Sequence, residues 1–219
     1  VVSDSGNKYR FRNSADSATF AQSAVTLDLQ EGGTYVFDWS DSSAQGHPIR
    51  FSTTSDGTHG GGSEYTTGVV KDDSAYKTTI TVSASAPTLY YYCSNHSGMG
   101  GQVNTNTEHG QTNFDGSILS VSQANTTAGF SIVKYTGTGS GNTIGHGLGT
   151  TPQWFIAKVR STSNNWGVWH QDLGGANKYL KLNDTNATIT ATDVWNNTLP
   201  TSTVFSTGSA GTSNAFCEH

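Results

Sequence analysis

The chain has 219 residues, of which 12% are charged and 33% hydrophobic, and its net charge is -5. It has no Lys/Arg run of the kind nucleic-acid binding leaves and no apolar run near the roughly 18 residues that span a membrane, so neither nucleic acid nor membrane insertion is expected. Gly, Ser, Thr and Asn dominate the rest; they suit short strands joined by tight turns, because Thr tolerates a pleated surface and Gly and Asn tolerate turn dihedrals.

The chain opens on Val1-Val2-Ser3 without an initiator Met, so a processed, truncated or partial polypeptide is expected. Alternation then carries the first hundred residues. Val25, Leu27 and Leu29 share one face of a strand, the turn Glu31-Gly32-Gly33 follows, and Tyr35, Phe37 and Trp39 share a face of the next strand. Ile49 and Phe51 alternate after His47. The span 53–68 reads as a long loop holding Gly57, Gly60, Gly61 and Gly62 with His59, Glu64 and Tyr65. Such loops are uncommon without function or mobility; His59 with Glu64 is weighed as a metal or ligand site against a solvated loop, the plainer reading. Tyr76, Thr78, Ile80 and Val82 line a further strand, and Leu89 to Cys93 is the last. No segment has a 3.6-residue stripe, and short strands with turn signals between them predict a β-sandwich.

The tract Tyr90-Tyr91-Tyr92-Cys93-Ser94-Asn95-His96-Ser97-Gly98-Met99-Gly100-Gly101 sets Cys93, His96 and Met99 three residues apart, directly after an aromatic strand. His47 stands upstream in Gly46-His47-Pro48. A thiolate, two imidazoles and a thioether make the ligand set of a blue-copper site. Structural zinc sites favour Cys and His without thioether. A binuclear copper centre wants a second Cys in the loop, and Cys217 is far away in sequence. A nucleophilic Cys93 paired with His96 has no third group to orient it. The plain alternative is a Cys93 that serves as a small buried hydrophobe.

These residues resemble the cupredoxin family over roughly residues 20–103, and the short Cys-x-x-His-x-x-Met spacing looks most like its amicyanin branch. The resemblance implies His47, Cys93, His96 and Met99 as the ligands of one copper ion. Cupredoxins usually carry Asn after the first His, where its side chain ties the ligand loops together; this chain has Pro48. Many place Pro before the second His; this chain has Asn95. The family's outer-shell hydrogen bonds are therefore not carried over.

From 103 to 127 the chain turns polar, and 104–127 reads as a linker or meander. A second β pattern follows: 130–135, the Gly-rich turn 137–141, 154–159, 166–170, 179–182, the stretch around Ile189, and Val204-Phe205. Four of the five tryptophans fall here. His109 in the polar stretch reads as exposed. His146, in Gly145-His146-Gly147-Leu148-Gly149, reads as a tight turn, since no Lys-Ser/Thr pair follows to make a phosphate loop. Trp166, Trp169 and His170 are weighed as a sugar-stacking platform against a split between core and surface.

The segments Gly129 to Gly137, Gly145 to Pro152, Trp166 to His170, Tyr179-Leu180 and Trp195 to Ser206 resemble a β module of marine bacteriophage virion proteins. In such proteins a cupredoxin-like unit often precedes a segment like Asn113-Phe114-Asp115-Gly116-Ser117, and that order is kept here. The expectation is an all-β chain: a cupredoxin-like β-sandwich (1–103), a linker (104–127) and a second β-sandwich module (128–219). The resemblance implies a non-enzymatic virion structural protein, a tail fibre, appendage or capsid-decorating subunit exposed on the virion surface. It is expected to associate with itself as a homo-oligomer and with other virion proteins, with host-surface glycans as a candidate ligand and one copper ion as a structural staple. The alternatives are an extracellular or periplasmic blue-copper electron carrier and a carbohydrate-binding surface module.

Overall fold

The computed structural model describes residues 1–105 and 110–214, with Asn214 described by its backbone alone. His109 and Cys217 lie outside the described residues. The chain is all-β and of sandwich type. It forms two compact units, Val1–Arg12 with Thr19–Thr112, and Asn13–Ala18 with the residues from Asn113 on.

The first unit has a four-stranded sheet in the order Leu27–Asp28, Gly101–Asn104, Leu89–Cys93, Ile49–Ser52. Its first pair is parallel and the others antiparallel. A second, antiparallel sheet has the order Thr34–Asp38, Lys77–Thr81, Val69–Asp72. Alternation decides what is buried. Leu27, Leu29, Phe37, Trp39, Phe51, Ile80, Leu89 and Tyr91 are buried, while Val36, one residue from Phe37, is exposed. Phe37 of one sheet meets Phe51 of the other edge-on, ring centroids 5.1 Å apart. Arg50 is buried yet paired, with both Asp73 carboxylate oxygens at 2.7 Å. Tyr76, expected within a strand, stands instead in a turn at φ +56°, edge-on to Trp39.

The second unit contains the hairpin Ser120–Asn125 with Phe130–Tyr135, the pair Asn142–Gly145 with Val204–Thr207, and an antiparallel sheet in the order Trp154–Ala157, Gly167–His170, Lys178–Lys181, Ile189–Thr190. Phe155 joins its two apolar clusters: the ring stacks on Trp169 at 5.4 Å, meets Trp195 edge-on at 4.8 Å and touches Phe205 at 5.1 Å.

The stretch 104–127 differs from a linker. It carries the strands Gln111–Asn113 and Ser120–Asn125, and the units part between Thr112 and Asn113. The buried positions of those two strands are hydroxyl residues, Thr112, Ser120 and Ser122. Hydropathy cannot register such a face, since its burial depends on bonds such as Ser120 Oγ–H to the Gly145 carbonyl at 2.8 Å.

Candidate metal centre

Strand pairing brings the two parts of the site together. Ile49 opposes Cys93, so the first residue of one strand lies against the last of its neighbour. His47, two residues before Ile49, therefore reaches the loop that begins after Cys93. On the strand Leu89–Cys93, Leu89, Tyr91 and Cys93 share a face by the period of two, and Cys93 is fully buried.

Cys93 Sγ lies 3.7 Å from His47 Nδ1 and 3.7 Å from His96 Nδ1. The three donor atoms all fall within 4.8 Å of one another, and the two imidazole centroids are 4.6 Å apart. Met99 is fully buried on the same loop, and its carbonyl accepts the Tyr9 N–H at 3.0 Å. Only glycine fits at position 100: a Cβ there would stand 1.7 Å from the Tyr91 carbonyl oxygen, because the chain leaves Met99 running against the strand it has just left.

The donor set fits a metal ion. With metal–sulfur bonds of about 2.3 Å and metal–nitrogen bonds of about 2.0 Å, an angle near ~120° separates sulfur from nitrogen by roughly 3.7 Å. The two observed Sγ–Nδ1 separations match that near-trigonal spacing, the geometry that two imidazoles and a thiolate adopt around copper beside a weak axial thioether. Burial first, then the charge of His96 and of the N-terminus, holds the His47 pKa below its usual value, which keeps its imidazole neutral with a lone pair to give.

Backbone and side-chain bonds brace the loop. Asn95 N–H points at Cys93 Sγ from 3.4 Å, and Ser94 N–H donates to the Pro48 carbonyl at 3.1 Å. The Asn95 side-chain amide donates to the Gly46 carbonyl at 3.0 Å. The tie between loops, which Pro48 cannot make from the first histidine's side, is thus made by Asn95 from the second histidine's side. Tyr9 O–H donates to the His47 carbonyl at 2.7 Å; burial and then the neighbouring Cys93 push its pKa far up, so it remains a donor. Tyr9 lies outside the span of the cupredoxin resemblance, and nothing in its local sequence marks it. Asn95 could have been found from its place between two ligands.

The other sequence candidates part company. Glu64 pairs with Lys71 at 3.0 Å and Arg50 at 3.9 Å. His59 does not join the donor cluster but bonds the Cys93 carbonyl at 3.0 Å. His146 is buried, with Nδ1 accepting the Leu148 N–H and Nε2 facing the Thr201 carbonyl, both at 3.2 Å. Trp169 is buried and bonds the Gly175 carbonyl, so it offers no stacking face; Trp166 is exposed. The alternating aromatics split between core and surface, because successive strand residues point to opposite faces.

Over residues 101–218, more than half of the chain, the sequence matches the family described as Domain of unknown function (DUF7483). The chain belongs to the DUF7483 family. No curated protein and no solved structure matches it. The DUF7483 region begins at Gly101, two residues past Met99, so all four candidate ligands precede it.

Proposed function

We propose that this DUF7483 protein is a non-enzymatic structural component of a virion, a fibre, appendage or capsid-decorating subunit, whose first unit is a cupredoxin-like sandwich binding one copper ion through His47, Cys93, His96 and Met99. The observation that carries the copper is the convergence of two imidazole Nδ1 atoms on one thiol sulfur at equal 3.7 Å separations. Copper acts here as a staple: its binding free energy adds to folding free energy and joins the 93–99 loop to the turn before Ile49. The structural role is supported by the phage-like motifs of the second half. It is also supported by outward apolar side chains on neighbouring strand positions, Phe130 with Ile132 and Trp154 with Ile156, which suit association with further copies.

The test is a titration of the metal-free protein with Cu(II). The expected result is an intense blue thiolate-to-copper band at one equivalent, absent from Cys93→Ser. A colourless wild-type protein, or a band that survives Cys93→Ser, overturns the copper reading. Sedimentation then judges the rest: a stable homo-oligomer is expected, whatever the redox state. A monomer that exchanges electrons quickly with a redox partner supports an electron carrier instead. That second reading has one observation in its favour, the exposure of His96 beside the buried Cys93.

A further inference from the structure

The long loop over 53–68 covers the ligand strand. Tyr92 faces away from the core side of its strand and is nevertheless buried, because the short helical turn Gly57–Gly60 lies against it. At Gly57, φ is +57° and a Cβ would stand 2.5 Å from the Tyr92 ring, so only glycine allows this approach. The residue before it, Asp56, is itself left-handed at φ 58°. A non-glycine residue keeps such a backbone where its surroundings over-determine it, and such positions cluster at functional sites.

Two polar side chains of this turn, those of Asp56 and His59, end on the metal loop. Asp56 Oδ1 accepts the Gly98 N–H at 2.8 Å. His59 Nε2–H donates to the Cys93 carbonyl at 3.0 Å, with its ring edge-on to Tyr92. The two anchor points bracket His96, one on the ligand before it and one between it and Met99. Gly98 is held at its next peptide group as well, since Lys8 Nζ donates to the Gly98 carbonyl.

We propose that Asp56 and His59 are positioning residues for the metal, a two-point clamp that holds the 93–99 loop in its ligand-ready shape before any ion arrives. The inference rests on the copper reading and adds the part of the fold that orients the ligands. Partners behind the ligands fix donor orientation, and their loss typically weakens metal binding about tenfold to a hundredfold.

The experiment compares wild type with Asp56→Ala, Asp56→Asn, His59→Ala and His59→Gln. Three quantities are read: copper affinity by chelator competition, the position of the charge-transfer band, and amide exchange at Gly98 in the metal-free protein. The alanine variants are expected to bind copper about ten to a hundred times more weakly with a shifted band. Gly98 exchange should quicken in Asp56→Ala. Asn and Gln, which retain an acceptor oxygen and an amide donor, should restore each property. Wild-type affinity and band in both alanine variants overturn the clamp, as does a fall in thermal stability with copper affinity unchanged, which would make the turn mere cover for Tyr92. If Asp56→Ala fails to fold, the His59 pair decides by the same readings. Should the wild-type protein take up no copper, the copper reading fails by itself; Gly98 exchange then judges the clamp, and no change in Asp56→Ala overturns it.

Discussion

His47 and His146 have similar local sequences, Gly46-His47-Pro48 and Gly145-His146-Gly147, and burial lowers the pKa of both. Their surroundings separate them. Backbone groups occupy both ring nitrogens of His146, which leaves no lone pair for an ion. The Nδ1 of His47 faces a thiol sulfur and shares it with a second imidazole. A histidine partly or wholly withdrawn from solvent becomes a ligand candidate when another metal donor stands opposite its nitrogen, as at His47, and a structural post when peptide groups do, as at His146.

Substitution can break this contrast. His96→Ala should abolish the blue band, yet leave the thermal stability of the metal-free protein within about 0.5 kcal/mol, because His96 is exposed. Spectra with copper added and melting curves of the metal-free protein check both halves. His146→Ala should do the reverse. It opens a cavity and orphans the Leu148 N–H and the Thr201 carbonyl, at a cost of about 2–4 kcal/mol, while the copper titration stays unchanged. A band lost in His146→Ala, with the first unit still folded, would overturn the assignment.

Acidity sharpens it further. The folded pKa of His146 lies below the unfolded value of about 6.5, because burial disfavours the imidazolium more than the Thr201 carbonyl and Asp115 favour it. Above that pH both states are neutral there and the residue adds no pH dependence. As pH falls below it, the unfolded chain takes up a proton that the folded chain refuses, so stability drops. Unfolding midpoints between pH 8 and 5 should therefore fall more in wild type than in His146→Gln; parallel curves would refute the point.

The smallest effect is expected at Asn95. Replacing it by Ala removes its exposed hydrogen bonds to the Gly46 carbonyl and from the Ser94 hydroxyl, together worth about 0.5–1.5 kcal/mol, and leaves its backbone N–H on the Cys93 sulfur. A modest fall in stability with a small band shift is expected by calorimetry and absorbance; an unmoved melting curve would show that Ser94 N–H to the Pro48 carbonyl suffices as the tie.

The candidate ligands were legible because three of them lie on one short loop, where three-residue spacing survives any packing of the rest. The first sandwich was legible because apolar residues alternate strongly, as in Tyr35, Phe37 and Trp39. Strands over 104–127 were not: their inward face is hydroxyl, and a hydroxyl face has no hydropathy signature. Nor was the fate of Trp166 and Trp169, since alternation says that they part ways without saying which one enters the core.

By itself, then, the sequence determined an all-β chain and singled out His47, Cys93, His96 and Met99 as candidate donors, because strand alternation and the three-residue spacing of the last three are local properties. Tertiary structure alone decided that Ile49 opposes Cys93, that Asn95 supplies the tie Pro48 cannot, and that Tyr9, Asp56 and His59 close around the same loop. The physical reason is that these bonds join residues 34 to 90 positions apart. Which partner a polar group finds at that range depends on the pairing of whole strands rather than on its neighbours in the chain.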